Sequence, residues 1–190
     1  MGKLVVISGP SGAGKSTIVR EVLRRTRAQF SVSVTTRRKR TQERQGRDYD
    51  FVDRDRFREM IERGELLEWA EVFGERYGTP AEPVRQALAA GQTILLDIDV
   101  QGALQVHRKM PDATFVLIVP PPGRQEELAR RLRVRRSETE SELAERLSKA
   151  RKEIEAAKAS GVYNHCVVND DLQQAVREVA DIVKQEQSKR

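Results

Sequence analysis

Residues 9–16 have types and spacing that could do chemistry, because they fit the pattern G-x-x-x-x-G-K-[ST]. Glycines let a backbone curl tightly with no side chains in the way, so that its N–H groups can surround an anion. Lys15 would add a mobile positive charge for the outer phosphates of a nucleotide, and the Ser16 hydroxyl could bind Mg²⁺. The spacing therefore predicts a phosphate-binding loop.

The segments on either side of this loop supply the context that it requires. Residues 3–7 form a β-branched, apolar run that is typical of a buried strand. The apolar residues of segment 17–27 recur on one face of a helix. The unpaired N–H groups at the start of such a helix point at the same anion. A chance glycine-rich turn, which is the alternative, leaves this strand and helix unexplained.

A second anion site is predicted further along the chain. Arg37 and Arg40 lie three residues apart on an irregular segment and could both hydrogen-bond to one phosphate. The hydroxyl of Tyr49 could add a neutral donor. The alternative for these residues is a basic patch in contact with water only.

Carboxylates and hydroxyls could complete a site for a base and a metal ion. Glu68, between Leu67 and Trp69, is expected to be half-buried, and a carboxylate there could accept from the N1–H and N2–H of guanine, which adenine does not offer. Asp97 ends an apolar strand at the edge where open α/β sheets bind ligands, which suits Mg²⁺ or its water shell. Both carboxylates could instead be ordinary surface residues. Further polar contacts to a base could come from Ser33, Thr79 and Asp99.

The elements that must position these residues follow an α/β pattern. Apolar runs at 4–7, 93–98, 114–119 and 163–168 alternate with helical segments, which predicts a parallel sheet with helices on both faces. Residues 31–84 break the pattern and are interpreted as an inserted lobe. The charged helical segment 124–159 has no strand and is interpreted as a lid. The P-loop core would then comprise residues 1–30, 85–123 and 160–190.

Local signals give four further expectations. Segment 30–35 alternates apolar and polar residues, which predicts one strand exposed on one face. Asp53 is expected to cap a helix that ends before Gly64. Thr79 is expected to cap a helix that Pro80 opens. The single cysteine, Cys166, lies in an apolar run and is expected to be packed inside.

Composition limits the partners. The 190 residues carry a net charge of +6, which favours either nucleic acid or a site for several phosphates. The basic clusters at 37–40 and 130–136 have no interleaved aromatic residues, so we expect small nucleotides and no nucleic acid. One cysteine allows no internal disulfide. With neither a signal peptide nor an apolar span in the sequence, we expect a cytoplasmic protein without a membrane partner, as a monomer or homodimer.

The sequence resembles guanylate kinases, which transfer the γ-phosphoryl group of ATP to GMP or dGMP. The stretches that carry the resemblance span nearly the whole chain: residues 8–16, 33–37, 46–51, 68–70, 77–79, 96–102 and 168–171. The resemblance implies an α/β P-loop core with an inserted GMP-binding lobe and a helical lid, ATP as phosphoryl donor and Mg²⁺ as cofactor.

The resemblance also assigns roles to residues. The guanine of GMP would face Ser33, Glu68, Thr79 and Asp99, and its phosphate would face Arg37, Arg40, Tyr49 and Tyr77. ATP would be bound by Gly9, Pro10, Ser11, Gly12, Ala13, Gly14, Lys15, Ser16, Thr17, Arg131, Arg135 and Asn169. The catalytic residues would be Lys15, Arg37, Arg135 and Arg146. Mg²⁺ would be held by Ser16 and, through water, by Asp97. The lid departs from the family pattern at residues 133–137, so that either Arg135 or Arg136 could reach the phosphates.

Three other functions fit parts of the sequence. A regulatory GTPase would use the D-x-x-G pattern at 99–102, but its guanine-reading N-K-x-D is absent from the sequence. A guanylate-kinase-like scaffold module that binds peptides typically has a degraded phosphate loop, whereas Lys15 and Ser16 are intact here. Another nucleoside-monophosphate kinase would share the fold, but Glu68 disfavours AMP as its acceptor.

Overall fold

The computed structural model describes residues 2–121 and 140–189 (of residues 140–143 and 146, the backbone alone). In these residues the strands are β1 Lys3–Ser8, β2 Gln29–Phe30, β3 Val34–Thr35, β4 Asp50–Phe51, β5 Leu66–Val72, β6 Glu75–Pro80, β7 Thr93–Ile98, β8 Thr114–Val119 and β9 His165–Val168. The helices are α1 Lys15–Arg25, α2 Arg54–Glu62, α3 Ala81–Ala89, α4 Val100–Lys109, α5 Glu140–Ala159 and α6 Leu172–Ser188.

The core is a parallel five-stranded sheet in the order β2-β7-β1-β8-β9. Side chains of β1 alternate between its faces because successive residues of a strand point in opposite directions. Val5 and Ile7 pack with apolar residues of α1 and α6. Leu4 and Val6 pack on the other face with apolar residues of α3 and α4. The predicted parallel sheet with helices on both faces is therefore confirmed.

A second sheet, in the order β4-β3-β6-β5, forms a lobe beside the core. The β5–β6 and β3–β6 pairs are antiparallel, and the β3–β4 pair is parallel. Helix α2 covers this sheet with the buried residues Phe57 and Met60. As predicted, Asp53 caps this helix by accepting from the backbone N–H of Arg56 at 2.7 Å, and Gly64 follows it with φ 63°.

Three local predictions are wrong. The expected strand at 30–35 is divided, because Phe30 pairs with β7 of the core while Val34 pairs with the lobe strands β4 and β6. Thr79 lies within β6 and its hydroxyl bonds to Glu68, so Pro80 is the residue that precedes α3. Cys166 is exposed, since it lies on β9 at the edge of the core sheet with its side chain pointing outward.

Helix α5 packs onto the core through its second half. Ala157 is buried with Val100, Leu117 and Val119, and Ile154 adds to the same cluster. The first part of the expected lid, residues 124–139, lies outside the described residues. Within the described ranges, no helix combines the length and the apolar character that a membrane span would need.

Candidate active site

The predicted phosphate loop joins β1 to α1 at the carboxyl end of the central strand. Gly9, Gly12 and Gly14 have φ values of 146°, 84° and 91°, which side chains disfavour. A Cβ on Gly9 would collide with the carbonyl oxygen of Ile118, and one on Gly14 with the side-chain amide of Asn169. No side chain caps the start of α1 in the described structure, so its first N–H groups are available to an anion.

Lys15 and Ser16 start the helix and face different partners. The Lys15 Nζ donates to the carbonyls of Gly9 at 2.7 Å and Pro10 at 3.1 Å, so the ammonium folds back over the loop. The Ser16 hydroxyl donates to Asp97 Oδ2 at 2.8 Å. Asp97 is brought there because β7 pairs with β1 and places it opposite Ile7. A hydroxyl and a carboxylate oxygen thus lie side by side, which are ligand types that Mg²⁺ accepts.

Asn169 supports the loop from the end of β9. The residue is 3 % exposed, and its Nδ2 donates to the carbonyl of Ala13 at 2.7 Å. Its backbone N–H donates to Val119 at 2.8 Å, which fixes the residue to the sheet. The Oδ1 of Asn169 is buried and has no hydrogen-bond partner in the described part of the chain. The amide of Asn169 therefore lies directly against the loop backbone.

Glu68 and Thr79 form a buried pair on neighbouring strands. They are cross-strand partners in β5 and β6, and the Thr79 hydroxyl donates to Glu68 Oε1 at 2.6 Å. Glu68 is 4 % exposed. Burial first, and then the negative charge of Asp99, raise the pKa of this carboxyl to about 7 against the opposing effect of the Thr79 hydrogen bond.

Asp99 reaches the same place from the core. It caps α4, with Oδ1 accepting from the Gly102 N–H at 2.7 Å. Its Oδ2 is buried and lacks a hydrogen-bond partner among the described residues. Of the other predicted base contacts, Ser33 is buried where the chain passes from β2 to β3, and its carbonyl accepts from Asp50 at 2.9 Å.

Arg37 is fixed by Glu43, a residue that the sequence analysis missed. The Arg37 guanidinium donates to Glu43 through Nη2 at 2.7 Å and Nη1 at 3.1 Å, and Nη1 also donates to the Arg38 carbonyl. It stacks over the rings of Tyr49 and Phe51, at 5.5 and 5.7 Å from their centres. Glu43 occupies the Nη1–Nη2 edge, so the Nε edge lies outside this ion pair. The signal in the sequence that could have identified Glu43 is that it is a lone carboxylate in a cation-rich segment.

The Glu43 carboxylate also holds Arg40. The backbone N–H of Arg40 donates to Glu43 Oε2 at 2.8 Å, and its exposed guanidinium lies 3.9 Å from Oε1. Burial alone would raise the pKa of Glu43, but the hydrogen bonds from Arg37 and Arg40 and their charges leave that pKa lower than usual. Glu43 is therefore the anion that organises both arginines.

Tyr49 connects this cluster to the phosphate loop. Its ring meets that of Tyr77 edge-on at 6.0 Å. Burial first, and then the negative charge of Asp97, raise the pKa of Tyr49 to about 12, so the phenol keeps its proton as a donor. Asp97 at the core edge therefore lies close to Tyr49 in the lobe, and the space between them is called the cleft.

Three predicted arginines are not described at the side-chain level. Arg131 and Arg135 lie outside the described residues, and so does Arg136, the alternative to Arg135. Arg146 belongs to α5, of which the backbone is described at this position. The described part of the cleft thus contains the loop, the buried carboxylates and the Arg37 cluster.

Comparisons with known proteins agree on one family. The family model described as guanylate kinase matches residues 1–186. The chain is 46 % identical to the guanylate kinase of Myxococcus xanthus (strain DK1622), over 100 % of this chain and 89 % of the relative. It is 47 % identical to the guanylate kinase of Nocardia farcinica (strain IFM 10152), over 95 % and 93 % of the two chains. The crystal structure of guanylate kinase from Anaplasma phagocytophilum superposes with a TM-score of 0.80 at 35 % identity, covering 99 % of this chain and 87 % of that one.

Proposed function

The chain belongs to the guanylate kinase family, and as a member it transfers the γ-phosphoryl group of ATP to GMP, giving ADP and GDP; we propose that it does so in the cleft between Asp97 and Tyr49. The core then carries the ATP site, residues 31–84 form the GMP-binding lobe, and residues 124–159 form the lid. In this proposal dGMP is also accepted, and the chain acts in the cytoplasm.

The observation that carries the choice of guanine is the buried carboxylate of Glu68. Thr79 occupies one of its oxygens, and Asp99 Oδ2 is buried nearby without a hydrogen-bond partner among the described residues. These acceptors match the N1–H and N2–H donors of guanine, whereas the same edge of adenine presents an acceptor. A site with buried acceptors rejects a base that leaves them unpaired. Ser33 and Thr79 would add polar contacts.

The phosphate of GMP would bind at the Arg37 cluster. Glu43 holds the Arg37 guanidinium and leaves the Nε edge of Arg37 outside the ion pair. The backbone N–H of Arg40 donates to the same carboxylate. The hydroxyls of Tyr49 and Tyr77 would donate to the remaining phosphate oxygens. Such positioning places the acceptor oxygen in line with the donor phosphate.

The ATP phosphates would bind in the loop formed by residues 9–17. The backbone N–H groups of the loop and of the start of α1 donate to them, and Lys15 moves from the loop carbonyls to the outer phosphates. Asn169 keeps the loop in shape through its hydrogen bond to Ala13, and by the resemblance it would also contact the ATP base. Arg131, Arg135 and Arg146 would neutralise charge on the transferring group.

The residues at the loop fit a magnesium ion. The Ser16 hydroxyl and the Asp97 carboxylate, 2.8 Å apart, would hold it, the carboxylate through water. When bound, Mg²⁺ neutralises developing charge on the phosphate oxygens. The chain's own residues do the positioning, and closure of the cleft would exclude water so that ATP is not hydrolysed.

The test is an assay of ADP release with ATP and Mg²⁺, offering GMP, dGMP, AMP, CMP and UMP in turn. We expect strong turnover with GMP, weaker turnover with dGMP and little with the others. Lys15→Met should lower kcat at least a hundredfold, because it removes charge stabilisation of the transition state. Turnover with a different monophosphate would contradict the guanine assignment. An unchanged rate for Lys15→Met would contradict the role given to the loop.

A further inference from the structure

One face of helix α4 lies along the strand that carries Glu68. β5 is the edge strand of the lobe sheet, so one side of its backbone has no strand partner in that sheet. Gln105 and Lys109, four residues apart on α4, reach this unpartnered edge. The helix that Asp99 caps therefore also holds β5, the strand that carries Glu68.

The contacts replace the hydrogen bonds of a missing strand. Gln105 Nε2 donates to the Trp69 carbonyl at 2.6 Å, and the Trp69 N–H donates to Gln105 Oε1 at 3.3 Å. This pair reproduces the N–H and C=O bonds that a neighbouring strand would make. Lys109 Nζ donates to the carbonyls of Leu66 and Leu67. The backbone is thus held immediately before and immediately after Glu68.

The same face leaves room for the carboxylate. Gly102 lies three residues before Gln105 on α4, and a Cβ at this position would collide with Glu68 Oε2. Positions 102, 105 and 109 therefore form one strip of the helix that receives β5. The strip contains no group of the reaction itself.

We propose that Gln105 and Lys109 are positioning residues for guanine recognition, which fix β5 against α4 so that Glu68 and Asp99 face the base together. The inference rests on the guanine contact proposed for Glu68. Reading a base through two adjacent hydrogen bonds requires the acceptor to be placed within about 0.5 Å. An edge strand held on one side only, through β6, would allow larger shifts of Glu68.

The first test compares GMP with IMP, which lacks the 2-amino group but is otherwise the same base. Gln105→Leu keeps the size of the side chain and removes both hydrogen bonds to Trp69. We expect KM for GMP to rise about tenfold and the ratio of kcat/KM for GMP over IMP to fall, while KM for ATP stays constant. A purely structural role would instead lower the melting temperature or the active fraction and leave both KM values and the ratio unchanged.

Lys109 provides an independent variant and a rescue. Lys109→Met should raise KM for GMP in the same way, and Lys109→Arg, which keeps a cationic donor, should restore most of the loss. Arg108→Met removes an exposed cation from the same helix and should leave kinetics unchanged. If Gln105→Leu does not fold, the Lys109 variants still test the positioning role.

The variant Glu68→Gln separates the inference from the function on which it rests. If Glu68→Gln lowers the GMP-over-IMP ratio while folded Gln105→Leu and Lys109→Met leave it unchanged, the positioning role is overturned and the guanine contact stands. If Glu68→Gln itself leaves the ratio unchanged, both are overturned. Lower ratios in all three variants, with rescue by Lys109→Arg, support the positioning role.

Discussion

Glu68 is 4 % exposed, and its carboxylate accepts a hydrogen bond from the Thr79 hydroxyl. Its burial raises the pKa of the carboxyl to about 7, so near neutral pH it is present in both protonation states. The ionised form offers acceptors for two guanine N–H donors, whereas the protonated form gives up one of them. GMP should therefore bind the ionised form.

This predicts a pH dependence confined to one substrate. An acid whose pKa is about 7 is protonated below that pH, so KM for GMP should rise as pH falls below about 7, by up to about tenfold per pH unit, and should level off above it. KM for ATP, measured in the same series, is the control. Glu68→Gln should remove the dependence, and a wild-type profile as flat as that of this variant would contradict the assignment.

Glu43 leads to a second prediction for a single residue. Glu43→Gln keeps the shape but loses the charge that holds both guanidinium Nη atoms of Arg37, so KM for GMP should rise roughly tenfold, with KM for ATP unchanged. Glu71→Gln, at an exposed position of the same lobe, is the matched control. A decrease in KM would show that Glu43 competes with the GMP phosphate for Arg37 instead of positioning it.

At the scale of elements, the phosphate loop and the two elements beside it could be predicted because their signals are local. The strand β1, the phosphate loop and α1 follow each other directly, so periodicity and glycine spacing identify them. The division of segment 29–35 is not local, because it depends on β7 for one half and on β6 for the other. The Arg37–Glu43 pair lies in irregular backbone, where no periodicity marks a contact.

Thr79 in the candidate site is another residue whose contact depends on strand pairing and could not be predicted from residue types. A threonine before a proline at the start of a helix is a reasonable cap, but the cross-strand carboxylate of Glu68 takes its hydroxyl instead. Glu68 and Thr79 were both predicted as candidates for the base site. Their hydrogen bond required knowledge of the strand pairing, which residue types alone do not give.

The end of β9 makes a testable contribution to the ATP site. Asn169→Ala removes the hydrogen bond to Ala13 and leaves that carbonyl without it, so KM for ATP should rise several-fold while KM for GMP stays constant. Asn164→Ala is the matched control, since it removes a bond to the Phe115 N–H at the other end of the strand. Both variants should lower the melting temperature by about 2–8 °C. A similar rise in KM for ATP in both would contradict a specific role of Asn169.

At the scale of the whole molecule, residues of the core and of the lobe come close to each other at the cleft. Asp97 belongs to the core and Tyr49 to the lobe, and the negative charge of Asp97 helps to keep the Tyr49 phenol protonated. A further contact joins the lobe to α5, where Lys149 Nζ lies 4.8 Å from the ring centre of Phe73 at the turn between β5 and β6. The net charge of +6 suits a cleft that must hold the phosphates of two nucleotides.

The central place of β1 in the sheet has a consequence for biosynthesis. β1 leaves the ribosome before its partners β7 and β8, which end at residues 98 and 119, and the backbone of Ile118 on β8 lies against Gly9. At about 5–20 residues per second, the nascent phosphate loop waits roughly 5–20 s for the strand that completes it. A chain released after residue 112 should bind no ATP in equilibrium dialysis, whereas the full chain binds it. If the shortened chain still binds ATP, then β1 and the loop fold without β8. The phosphate loop would in that case form during translation, before β8 has been synthesised.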